Sequence, residues 1–120
     1  MRTAYAHDAV VVLDPGVDAG APGAAVTLAL CGSWDHPGPC PLAPHHTSTS
    51  GEGSEVRVRV LFATDSDHEA DVRALIGGAL SSGRVPTPEG STASWRLGHH
   101  AVGALEADES HHAARLVASQ

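Results

Sequence analysis

Cys31, His36, Cys40, His45 and His46 lie within the stretch CGSWDHPGPCPLAPHHT, at the spacing C-x4-H-x3-C-x4-H-H. Thiolates and imidazoles are the side chains that hold zinc, which takes about four N or S ligands at about 2.0–2.3 Å. Pro37, Pro39, Pro41 and Pro44 interleave with them. Proline fixes φ and lacks a donor, so the segment is bent and can be neither helix nor central strand. These five residues are the candidate metal ligands. Zinc is the first ion expected, with Cu(I) or Ni(II) behind it.

The spacing itself is not a standard one. C-x2-C, H-x3-H and H-E-x-x-H are all absent, so the signal rests on residue type and density. The competing explanation is a solvated loop, with Cys31 a small buried side chain at the end of an apolar run. A Cys31–Cys40 disulfide is open geometrically, but a reducing compartment disfavours it. Cys40 beside a histidine is a thin case for nucleophilic catalysis, because nothing around it forms a recognisable acid, base and nucleophile set. No reaction is assigned.

The other histidines have ordinary readings. His68 opens a helix, where the dipole disfavours a cation, and packing at the core edge is expected. His112 lies on the apolar stripe of the last helix, within reach of the sheet. His99 and His100 directly follow a strand. Arg57 and Arg59 share one strand face and could grip an anion, although cross-strand pairing with Asp or Glu explains such arginines equally well.

The elements that must position these residues are read from hydrophobic period. Residues 9–13, AVVVL, form a buried strand closed by Asp14-Pro15-Gly16. Residues 24–31, AAVTLALC, alternate Val26, Leu28 and Leu30 against Thr27, Ala29 and Cys31, which predicts a second strand. Residues 32–54 are then one long loop, its end the polar run TSTSGEGS. EVRVRVLFATD (55–65) is the clearest strand, with Val56, Val58, Val60 and Phe62 on one face. Ser66 and Glu69 match a capping box for a helix to about Ser82. Its stripe is Val72, Leu75, Ile76, Ala79 and Leu80, and Gly83 suits its C-terminal cap. Gly77 and Gly78 lie off the stripe and have no explanation at this level. RVPTPEGS (84–91) reads as a loop and residues 92–98 as a strand. Asp108 is the expected N-cap of a last helix. The order β-β-β-α-β-α predicts one α+β domain over residues 1–120, a mainly antiparallel sheet of about four strands with two helices on one face.

Composition bounds the rest. Hydrophobic residues make up 42% of the 120, but twenty of those are Ala, and Ile, Phe, Met and Tyr appear once each. The core is therefore built of Val, Leu and Ala around Trp34 or Trp95. Fourteen Asp and Glu face seven Arg and no Lys, a net charge of −7, which argues against nucleic acid and anionic membrane as partners. Protonating all nine histidines would take the formal charge to +2. No apolar run nears the roughly 20 residues that cross a bilayer, and MRTAYAHDAVVVLDPG is too polar for a leader. A cytoplasmic location and reduced cysteines are expected. Two functions follow: a small metal-binding protein, or a metal-free interaction or homodimerising module using the Arg57 and Arg59 face.

Overall fold

The computed structural model describes residues 2–31 and 43–118. Eight elements follow one another: β1 (Arg2–Leu13), α1 (Ala21–Cys31), β2 (His45–Ser50), β3 (Glu55–Asp65), α2 (Glu69–Ser82), β4 (Arg84–Pro86), β5 (Thr92–Gly103) and α3 (Ser110–Ala118). The strands form one sheet in the order β2-β3-β1-β5-β4, with every neighbouring pair antiparallel. β3 thus lies between β1 and β2, and β1 between β3 and β5. That is the interleaving of two split βαβ units, a ferredoxin-like connectivity, with β4 added at one edge and α3 at the end.

The class is α+β with an antiparallel sheet, as expected. Arg84–Pro86 pairs with β5 as a strand inside the expected 84–91 loop, giving five strands where about four were expected. Three larger features also differ from the sequence reading. Residues 21–31 form a helix, where a strand over 24–31 was expected. Its buried residues Pro22, Val26 and Leu30 stand four apart, as do Ala21 and Ala25. Alternation over a short apolar run fits both periods, and here Pro22 in the first turn and the alanines favour the helix. Asp18 opens it: its side chain accepts from the Gly20 N–H at 2.7 Å and its carbonyl from Ala21 at 3.0 Å. Second, residues 45–50 are a strand within the expected long loop. HHTSTS is polar because it is an edge strand, exposed along most of its length. Third, the helices do not all share a face, and there are three of them.

α1 and α2 pack side by side on one face. Val11, Val26, Val58, Val60, Phe62, Val72, Ile76 and Leu80 are essentially fully buried between them and the sheet. Trp95 closes this core from β5, donating its indole N–H to the Leu80 carbonyl at 2.9 Å. Trp34 lies outside the described residues. α2 ends as predicted, with Gly83 at φ 71°. There a Cβ would lie 2.6 Å from the Trp95 carbonyl oxygen, so only glycine fits the left-handed turn. The predicted capping box at its start does not form. Ser66–His68 is a 3-10 turn, with no side chain capping either it or α2.

α3 covers part of the opposite face, where Leu116 packs on Ala6, Leu61 and Ala63. Its entry is capped two residues earlier than expected. Glu106, not Asp108, caps the turn Ala107–Glu109, and the Glu109 side chain reciprocates. Since α3 is short and sits over one end of the strands, the rest of that face stays open. Among the described residues no helix is long and apolar enough to cross a membrane.

Candidate functional site

Strand register builds the open face. Ser50 stands opposite Arg57, Arg57 opposite Val10, and Val10 opposite His99. The next row toward α3 is Ser48, Arg59, Asp8 and Ala101. Residues directly opposite have Cβ atoms about 4.5–5.5 Å apart, so each row runs a continuous band of side chains across four strands. The sheet curls around these two rows to leave a concavity of about 530 Å³, lined among others by Arg57, Arg59, His99, Asp8, Ser48 and Ser50.

The two arginines of this face have different work. Arg59 donates from Nη1 to Asp8 Oδ1 at 2.6 Å, and from Nε and Nη2 to the two Glu109 oxygens at 2.8 and 2.7 Å. Its Nη2 also reaches the Ala104 carbonyl. Four of the five guanidinium N–H donors are engaged, and they tie β1 and β3 to the turn that starts α3. The hydrogen bonds from Arg59 hold the Glu109 carboxyl down to about 2, and Glu109 in turn raises Arg59 above its ordinary value. Arg57, by contrast, is exposed and makes no ion pair among the described residues. The cross-strand explanation therefore applies to Arg59 and leaves Arg57 over.

A prediction follows from this lock. Arg59→Met keeps the stem and removes the fork, and should raise hydrogen exchange throughout α3 while costing about 1–2 kcal/mol, the order of charge-assisted bonds that are partly solvated. The Glu109 share has a definite sign. Its folded value lies below the unfolded 4.5, so its stabilisation is complete above that pH and is lost as pH falls toward 2. Unchanged α3 exchange in the variant would contradict the lock.

The five ligand candidates do not all meet. Cys31 ends α1 and His45 starts β2, with Sγ and Nδ1 4.0 Å apart. His45 also donates from Nδ1 to the Ala43 carbonyl at 3.1 Å and meets Thr27 Oγ1 through Nε2 at 3.0 Å. His46, the next residue of a strand, points to the other face, where its ring lies 4.4 Å from that of His112. Burial and the neighbouring His46 push His112 below its usual range. His36 and Cys40 lie outside the described residues. Cys31 is disulfide-bonded, not the free thiol expected, because redox state is a property of the surroundings that sequence does not encode. Among the described residues no three His, Cys, Asp or Glu side chains are grouped to hold a metal.

One polar cluster escaped the sequence altogether. His7, only 4% exposed, accepts at Nδ1 from Arg73 Nη1 at 3.0 Å. Arginine has no acceptor, so the His7 proton must sit on Nε2, where it is donated to His100 Nδ1 at 2.8 Å. Arg73 also binds Glu69 and the Ala6 carbonyl, and stacks over Tyr5 and Phe62. Burial, then the charge of Arg73, lowers His7 to about 4. This cluster explains Gly77: a Cβ there would lie 2.9 Å from His100 Cε1. The available signal was parity, since His7 shares the odd positions of β1 with Ala9, Val11 and Leu13. His68, expected at the core edge, is instead exposed beside Asp65.

No family model, curated protein or solved structure matches the chain.

Proposed function

We propose that the protein is a metal-free interaction module whose recognition surface is the open sheet face. The observation that carries this reading is Arg57: an exposed guanidinium without an ion-pair partner among the described residues, at a concavity of about 530 Å³. A helix covers one end of this face, and the neighbouring arginine is already spent on holding that helix. Such a concave surface, with a few convergent polar groups over an apolar floor, is the form that binding sites take. A second groove, of about 610 Å³ between the β1–α1 loop and the β4–β5 turn, has the size for a ligand but no arginine, lysine or histidine in its lining.

Mapping by NMR with a small fragment library decides between the surfaces. Hits that cluster on Ser50, Arg57, Val10 and His99 support the reading. Hits confined to the second groove, or to neither, contradict it.

Metal binding is the second reading, favoured by the approach of Cys31 to His45. Zinc would be held by a subset of Cys31, His36, Cys40, His45 and His46. It requires the thiolate form, since a disulfide sulfur is not a thiolate ligand. Elemental analysis of tag-free protein with and without reductant tests it. Near-stoichiometric zinc in the reduced protein supports the site, and none under either condition rules it out.

A further inference from the structure

Resting on the open face as the recognition surface, we infer that its ligand is a small monoanionic carboxylate with an apolar body, gripped by Arg57 over the Ser50–Arg57–Val10–His99 row. The charge follows from the count of free forks. Four of the five N–H donors of Arg59 are engaged by Asp8, Glu109 and the Ala104 carbonyl, which leaves Arg57 as the one arginine lining the concavity whose fork is not engaged by a described residue. Its paired N–H groups match the two oxygens of one carboxylate. Ser50, directly opposite on β2, offers a hydroxyl to the same group.

A dianion fits less well. Arg57 also borders Glu52 and Glu55 at the rim, and Asp8 lines the concavity itself. These carboxylates repel a second negative charge, in a chain of net charge −7, and favour carboxylate over phosphate. The apolar body has a floor: Val10 lies between Arg57 and His99 in the row, with Ala101 in the next. At about 530 Å³ the space is within the range of about 300–1,000 Å³ typical of small-molecule sites.

The test uses the full chain labelled with ¹⁵N at constant ionic strength, titrated with benzoate, with benzamide as its neutral counterpart, and with inorganic phosphate. Benzoate should shift the amides of Ser50, Arg57, Val10 and His99 saturably. Benzamide should bind about tenfold or more weakly, as should benzoate to Arg57→Gln, the loss expected for a charge-assisted contact. Arg57→Lys should recover part of the affinity, and the amides of the helix-side core should stay in place in both variants. Benzamide equal to benzoate, phosphate tighter than benzoate, an unchanged Arg57→Gln, or no saturable shift each overturns the inference. Sedimentation of the same samples separates its failure from that of the reading beneath it. A dimer that protects these four amides while benzoate leaves them unmoved overturns the carboxylate and retains the surface. A monomer whose face no fragment touches removes both.

Discussion

Phe62→Ala should cost about 3–5 kcal/mol, the range for deleting a fully buried aromatic side chain. Phe62 is 0% exposed and stands in β3, between β1 and β2. Its ring lies 5.4 Å from that of Tyr5 and 5.2 Å beneath the Arg73 guanidinium. The loss therefore has three parts: transfer of the side chain, the cavity left behind, and the removal of a face on which a half-buried cation rests. Domains of this size have about 5–15 kcal/mol in all, and a core made chiefly of Val, Leu and Ala has nothing large enough nearby to fill the gap. Urea unfolding at neutral pH measures it through the midpoint at unchanged slope. Phe62→Leu should cost much less. A cost below about 1 kcal/mol for Phe62→Ala would mean that the core is not closed around this ring.

Acidification should expose the second large effect, at His7. The folded protein holds its imidazole at about 4, against 6.5 for an ordinary one. Between those values the unfolded chain binds a proton that the folded chain refuses. Stability therefore rises with pH across that window and falls as the protein is acidified. The contribution is unaffected above about pH 6.5 and fully lost below about pH 4. At about 1.4 kcal/mol per pH unit, the loss comes to about 3 kcal/mol. The window precedes that of Glu109, whose loss runs from 4.5 toward 2, so a urea series in small pH steps separates them. His7→Gln keeps an acceptor for Arg73 and a donor for His100, and should abolish the loss between pH 6.5 and 4 at some cost at neutral pH. The same acid loss in that variant would place the titrating group elsewhere.

The sequence was informative where a period ran long enough to be unique. The β3 alternation stands as read, and Arg57 and Arg59 do share the open face. The α2 stripe holds at Val72, Ile76 and Leu80 but not at Leu75, which is exposed, while Gly77, read as off the stripe, is buried. Residues 24–31 were misread as a strand because eight mostly small and apolar residues satisfy both periods, and Pro22 in the first turn of the helix, with the alanines, breaks the tie. The strand at 45–50 was hidden by its polarity, which an edge strand tolerates because one side of it has no neighbour. The deeper limit is partnership. That Arg59 is spent and Arg57 is not depends on Asp8 and Glu109, fifty residues away on either side. The His7–His100 contact spans ninety-three positions, and it alone gives Gly77 a reason. Adjacent letters mislead in the opposite sense: His45 and His46 look like one chelating pair and face opposite sides of the sheet.

The most direct measurement follows the side-chain Nε–Hε resonances of Arg57 and Arg59 while benzoate is added to the full chain. The open-face account predicts that the Arg57 resonance moves saturably, in step with the amides of its row. The Arg59 resonance, held by Glu109 from the start, should stay where it is. Both resonances moving together in proportion to salt, or neither moving, would contradict the claim that this face is a recognition surface with Arg57 as its anchor.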